Sequence, residues 1–153
     1  MVEIERKFLV VSLEGCLEKS TEKIKMVQGY LSFDPARTVR VRITDTQAFI
    51  TIKGKSNKKG DTRLEWEKQI AVKEAQHLLT LCVGSQIKKT RHLVPHQSHV
   101  FEIDVFEGDH TGLVIAEVEL SSSEEHVDLP HWIGKEVTGD SRYYNSSLAQ
   151  KLD

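Results

Sequence analysis

Charged residues recur at every second position along much of this chain, a spacing that gathers charge on one face of an extended strand. Glu3-Ile4-Glu5-Arg6-Lys7 is the first such set. Arg40-x-Arg42, Lys53 in Ile50-Thr51-Ile52-Lys53, Glu65-x-Glu67, Lys89-x-Arg91, Glu102-x-Asp104 and Glu117-x-Glu119 follow. Residues two apart in a strand share a face, so Glu3, Glu5 and Lys7 point one way while Ile4 and Phe8 point the other. One such strand reads as the solvated side of an antiparallel sheet. Many together read differently, because same-sign pairs that close repel and shift each other's pKa values. A fold keeps them when opposite charges, metals or an ionic ligand compensate. The sheet is therefore expected to close around its charged face, and a bore lined by ions is a binding site.

The elements that must position these residues follow from pattern. Val2 to Val10 reads as a strand, and Ser12 to Ser20, with Leu13, Cys16 and Leu17 at helical spacing, as a short amphipathic helix. Met26 to Phe33 is expected to be the second strand, followed by a hairpin of Thr38 to Thr44 and Gln47 to Gly54 around Asp45-Thr46. A polar loop, Lys55 to Asp61, precedes a strand from Thr62 to Val72. The spacing of Ala75, Leu78, Leu79 and Cys82 predicts a helix over Lys73 to Val83 that stops at Gly84. Gln86 to Val94 and His99 to Glu107 read as strands around a turn at Pro95, and Leu113 to Leu120 as the last strand. Ser122-x-x-Glu125 could cap a helical turn, and Ser141 to Leu152 reads as a terminal helix. The fold class is α+β, mainly β. Eight antiparallel strands can close into a barrel and so remove their edges. Ile4, Phe8, Val41, Trp66 and Ile103 would then face outward under helices.

Length and charge narrow the functions open to this barrel. At 153 residues the chain is expected to form one domain, 1–153, with a sizeable core. A formal charge of −2 gives no global pull toward nucleic acid or anionic lipid, so any anion preference is local. Apolar runs are short and Met1 leads directly into the first strand. We therefore expect no signal peptide, no membrane span and a cytoplasmic location. Two cysteines, Cys16 and Cys82, make neither a disulfide framework nor a zinc box. His92, His96 and His99 loosely suggest a zinc site, but they fall around Pro95 in an expected hairpin, and a loop is the better reading.

The sequence resembles the CYTH, or triphosphate tunnel metalloenzyme, family, whose signature Glu-x-Glu-x-Lys is matched by Glu3-Ile4-Glu5-Arg6-Lys7. The match continues through Gln28-Gly29-Tyr30-Leu31, Arg40-Val41-Arg42, Thr51-Ile52-Lys53-Gly54, Glu65-Trp66-Glu67 and Lys89-Thr90-Arg91. It ends with Glu102-Ile103-Asp104, Ala116-Glu117-Val118-Glu119 and Glu136 to Asn145. One departure is His92, where many relatives carry Tyr after the Lys-x-Arg. The resemblance implies a closed eight-stranded antiparallel β-barrel, a tunnel with helices packed outside, that binds a small-molecule triphosphate with Mg²⁺ or Mn²⁺. On that reading Lys7, Arg40, Arg42, Lys53, Lys89 and Arg91 bind phosphate oxygens. Glu3, Glu5, Glu65, Glu67, Asp104, Glu117 and Glu119 supply oxygen ligands to the metal. Glu3, Glu5, Lys7 and Lys53 are the catalytic candidates, together with Tyr30 as a gating or proton-transfer group.

The activity expected is metal-dependent hydrolysis of inorganic triphosphate, by water attack on a terminal phosphorus. Alternatives are a class IV adenylyl cyclase, a thiamine or nucleoside triphosphatase, and a non-catalytic polyphosphate or nucleotide sensor. A cyclase must also hold adenine, and no residue set for that is legible. Neither a nucleic-acid nor a membrane partner is expected, and the pattern is compatible with a homodimer. Arg63 shares the parity of Glu65 and should face the tunnel mouth. Arg6, of opposite parity, should not.

Overall fold

The computed structural model describes residues 1–150. Its strands are β1 (Val2–Val10), β2 (Glu22–Ser32), β3 (Arg37–Thr44), β4 (Gln47–Gly54), β5 (Thr62–Ile70), β6 (Val83–His96), β7 (His99–Phe106), β8 (Val114–Glu119) and β9 (Ile133–Glu136). Of the two α-helices, α1 (Val72–Leu79) packs outside the strands as expected, whereas α2 (Asn145–Gln150) does not: it lies across one end of the bore, where bore-face apolar residues receive it. The sheet runs β5-β4-β3-β2-β6-β7-β8-β1-β9 with antiparallel neighbours, and pairing of β5 with β1 closes eight of the strands into the expected barrel. That seam is short, with Val2 to Ile4 against Leu64 to Thr62. Farther along the same edge of β1, Phe8 and Val10 pair with β9 instead.

Two of the three apolar clusters lie outside the barrel, as the alternation demands, and the third, on the bore face with Lys89 and Glu117, closes one end of the bore. Phe8, Phe101, Ile103, Ala116 and Val118 pack against Cys16 and Trp132. Ile87, Phe106 and Ile115 pack under Leu148 and Ala149 of α2, and Val41 and Ala48 under Ala75 of α1. α1 starts where the Glu74 carboxylate accepts the Ala71 N–H, which satisfies one orphan donor of its first turn. The cover is incomplete. Trp66 on β5, expected under a helix, is 39% exposed, and Leu64 beside it is 55% exposed, because α1 ends over the opposite end of β3 and β4.

Several expected boundaries move. Ser12 to Ser20 forms only a 3-10 turn, Leu17–Lys19, since Gly15 at φ +76° interrupts the run before a helix can nucleate. α1 stops at Leu79, and Gly84 lies inside β6. Pro95 is not the turn: it pairs with Val100 within the β6–β7 hairpin, whose bend is at Gln97, φ +55°. β2 begins four residues before Met26, β9 was not expected, and Ser122 to Glu125 forms a turn without a helix. The expected terminal helix resolves into a 3-10 turn, Ser141–Tyr143, and α2, with Leu152 outside the described residues.

Candidate functional site

The barrel encloses a cavity of about 270 Å³ lined by seven basic and seven acidic side chains. The bases are Lys7, Arg40, Arg42, Lys53, Arg63, Lys89 and Arg91; the acids are Glu3, Glu5, Glu65, Glu67, Glu102, Glu117 and Glu119. Sheet order sorts them by sign. β6, β2, β3 and β4 are consecutive and carry Lys89, Arg91, Arg40, Arg42 and Lys53, whereas β7, β8, β1 and β5 are consecutive and carry all seven acids. Lys7 and Arg63 are the exceptions, bases set in the acidic half.

The cations are held in two ways. Lys53 Nζ lies 2.9 Å from Glu3 and 3.3 Å from Glu65, and Arg40 lies 3.5 Å from Glu67. Arg91 donates to Asp104 at 2.8 and 3.0 Å and to Glu102 at 3.2 Å. By contrast Arg42 meets a neutral group: its Nε donates to Gln28 Oε1 at 2.9 Å. Lys7 also forms no ion pair among the described residues and sits with its Nζ 5.3 Å from the Tyr144 ring centre. Burial lowers the Arg42 pKa to about 9, aided by the positive charges of Arg40 and Arg91. Burial likewise takes Lys89 down to about 7, although Asp104 opposes it.

Carboxylates in the other half crowd one another. Burial, then Glu117 and Glu3, push Glu5 well above the ordinary carboxylate range. Burial and Glu3 do the same, less strongly, to Glu65. Burial also opposes ionisation of Glu117, yet Lys7 and Arg91 carry it well below that range. Glu5 therefore favours its protonated form beside an ionised Glu117. A divalent cation can take that proton's place, so this donor set fits Mg²⁺ or Mn²⁺, which use one or two carboxylates plus phosphate and water oxygens. No cage of three His, Cys, Asp or Glu side chains exists among the described residues.

Thirteen of the fourteen sequence-predicted residues line this cavity: Glu3, Glu5, Lys7, Tyr30, Arg40, Arg42, Lys53, Glu65, Glu67, Lys89, Arg91, Glu117 and Glu119. Asp104 departs from the expected metal-ligand set. It is on the bore face but fully buried beneath the cations, with Lys89 Nζ at 2.6 Å and the Arg91 guanidinium on its two oxygens, and burial opposed by those cations leaves its pKa at about 2. Its partner in the same sequence pair, Glu102, is the one that reaches the cavity. Arg63 lines the tunnel as its parity required, and Arg6 lies outside, paired with Glu136 at 2.9 Å.

Sequence reasoning missed Thr38, Thr51, Thr138, Tyr144, Asn145 and Ser146, which also line the cavity. Parity could have found Thr38 and Thr51, since they share the faces of Arg40 and Lys53. No strand parity marks the other four, which come from the segments after β9, although Thr138, Tyr144 and Asn145 fall in the Glu136 to Asn145 stretch that resembles the family. Gly60 and Gly139 rim the cavity where two loops cross, both at positive φ, and a Cβ on Gly60 would sit 2.2 Å from the Gly139 Cα. Lys55 to Asp61 is held by Asn57, whose Oδ1 accepts from Gly60, Asp61 and Thr62 N–H groups. No helix among the described residues is long and apolar enough to cross a membrane.

The chain is 43% identical over 150 residues to an inorganic triphosphatase of Acetivibrio thermocellus, covering 97% of this chain and 93% of that one. It is 36% identical to an inorganic triphosphatase of Nitrosomonas europaea, with 99% of each covered. A solved inorganic triphosphatase structure matches at a TM-score of 0.65 and 34% identity, over 96% of this chain and 93% of that one. A CYTH domain model matches residues 1–152, and with the barrel and its charged bore this places the chain in the CYTH domain family.

Proposed function

We propose that this chain hydrolyses inorganic triphosphate inside the barrel, as its relatives' names state for them. The observation that carries the reading is the balance of the bore: seven bases and seven acids leave it close to neutral. A linear polyanion fits the basic half, but its charge is compensated only if cations enter with it, which is the physical reason to expect a metal requirement. Inorganic triphosphate suits the lining better than a nucleotide does. Only Tyr30 and Tyr144 offer aromatic surface, and Tyr144 already stacks on Lys7.

Arg40, Arg42 and Arg91 present forked donors to phosphate oxygens, and Lys7, Lys53 and Lys89 add point charges. These groups orient the chain of phosphates and stabilise charge on the transferred group, which supplies most of the acceleration in phosphoryl transfer. Glu5 and Glu117 hold the metal, with Glu3, Glu65, Glu67 and Glu119 at hand in the same half. When bound, Mg²⁺ or Mn²⁺ supplies positive charge to the reacting phosphate oxygens. The oxygen of water bonds to the terminal phosphorus while the bridging P–O bond breaks. Phosphate and pyrophosphate leave, and a carboxylate of the acidic half accepts the proton from water. Tyr30, buried at the wall, is placed to gate the bore or pass a proton. Residues 1–153 act as one domain in the cytoplasm.

Phosphate release from inorganic triphosphate, pyrophosphate, ATP and thiamine triphosphate, each with Mg²⁺ and with Mn²⁺, tests the reading alongside a cyclic AMP assay. Fastest turnover of inorganic triphosphate without cyclic AMP is expected. An inert panel favours a sensor, and cyclic AMP from ATP favours a cyclase.

A further inference from the structure

At the end of the bore that α2 closes, two side-chain amides join this helix to two of the cations. Asn145, the first residue of α2, accepts at Oδ1 from Lys89 Nζ at 2.9 Å and from Gln28 Nε2 at 2.8 Å. Gln28, on β2 and 0% exposed, accepts at Oε1 from Arg42 Nε at 2.9 Å. The orientation of both amides is forced. An ammonium and a guanidinium only donate, so Asn145 must show oxygen to Lys89, which obliges Gln28 to turn its NH₂ to Asn145 and its oxygen to Arg42.

Gln28 is therefore the acceptor that aims Arg42 into the bore, and it does so without cancelling charge. Lys53, Arg40, Lys89 and Arg91 each meet a carboxylate, whereas Arg42 forms no ion pair among the described residues. We propose that Gln28 is a positioning residue that fixes the Arg42 guanidinium through a neutral acceptor and so leaves its whole charge to the triphosphate. This rests on the triphosphatase reading above. A glutamate in the same place would satisfy the same hydrogen bond and neutralise the arginine, and an apolar residue would release it. The seating of α2 belongs to the same device, since Asn145 links it to the amide pair. At the other end of the helix, Gly84 leaves room for the Ala149 carbonyl, and Ser85 Oγ donates to that oxygen at 3.2 Å.

Gln28→Glu and Gln28→Met separate charge from shape. With inorganic triphosphate and Mg²⁺, Gln28→Glu should raise KM by about tenfold or more, the scale of losing one hydrogen bond to a charged group. Its ligand-free melting temperature should change little, because the counter-ion gained by the buried arginine offsets the hydrogen bond to Asn145 Oδ1 that a carboxylate cannot donate. Gln28→Met should lower kcat about tenfold, with a smaller change in KM, because the guanidinium keeps its charge and loses its aim. A merely structural role predicts that both variants lose activity in step with melting temperature, and that result overturns the proposal. If Gln28→Glu does not fold, Gln28→Met decides alone: wild-type kinetics overturn the proposal, and lowered kcat at unchanged melting temperature supports it. A wild type that neither hydrolyses triphosphate nor is stabilised by it removes the triphosphatase reading and this inference with it. An active wild type with two wild-type-like variants removes this inference only.

Discussion

In the basic half of the barrel, on β6, β2, β3 and β4, most cations already reach a carboxylate, as Lys89 and Arg91 do through Asp104. In the acidic half, on β7, β8, β1 and β5, glutamates face glutamates, and Glu5 is held well above the ordinary range by burial, Glu117 and Glu3. The first half is compensated by the protein itself and persists as a preformed anion site. Compensation in the second is left to protons and, on the proposed reading, to metal. The difference teaches that the two ligands have separate structural reasons to bind, and each half can be broken by itself.

Substitution in the acidic half should have the largest effect. Glu5→Gln removes a proposed metal ligand, and kcat should fall by about a hundredfold or more, the scale of losing one preorganised electrostatic contact to a transition state. Steady-state kinetics over a Mg²⁺ series check this, with unchanged far-UV circular dichroism as the control. Wild-type kcat at every metal concentration would erase the functional distinction between the halves.

Asp104→Asn should come next, and in a different observable. It leaves Lys89 and Arg91 buried without their shared anion, a loss of about 3–5 kcal/mol for breaking a buried pair. Urea denaturation measures it, and added triphosphate should restore part of the loss by supplying negative charge. The pH dependence has a defined sign. Asp104 has a pKa of about 2, below its ordinary 3.8, so its contribution is present above the ordinary value and disappears as pH falls toward 2.

Arg42→Ala should raise KM by about ten- to a hundredfold, since hydrogen bonds to charged groups are worth about 1.5–3 kcal/mol. Initial-rate measurements against triphosphate concentration read this directly. Smaller, but diagnostic of the comparison, are the protons. Burial lowers the Lys89 pKa to about 7 and a bound polyanion raises it again, so triphosphate binding in slightly alkaline buffer should take up protons there. Metal binding at mildly acidic pH should release them, because a cation displaces the proton held by Glu5. Calorimetry in buffers of different ionisation enthalpy gives both signs, and equal signs would break the comparison. The smallest effect belongs to Arg6→Ala, which removes a partly exposed pair with Glu136 worth at most about 1 kcal/mol and should leave kcat and KM unchanged.

Much of this was legible in the residues alone. Parity along each strand decided which side chains share a face, so Glu3, Glu5 and Lys7 point into the bore while Arg6 points out. Period-2 alternation survives tertiary packing because slipping it by one residue would turn the bore's charges outward and its outer apolar residues into the bore. Parity does not measure depth. Glu102 and Asp104 share a face, yet Arg91 lies directly across from Asp104 in the β6–β7 register and, with Lys89, covers it from the cavity. The separation of bases from acids into two halves also depends on the long-range order β6-β2-β3-β4 and on closure between β5 and β1. So does the placement of Asn145 against Lys89 and Gln28, which lie 56 and 117 positions away in the chain. The sequence by itself determined the kinds of charge and the face each would occupy, because those are set within one strand. Which charges meet was decided only by the tertiary structure, because strand order and register are properties of the whole closed sheet.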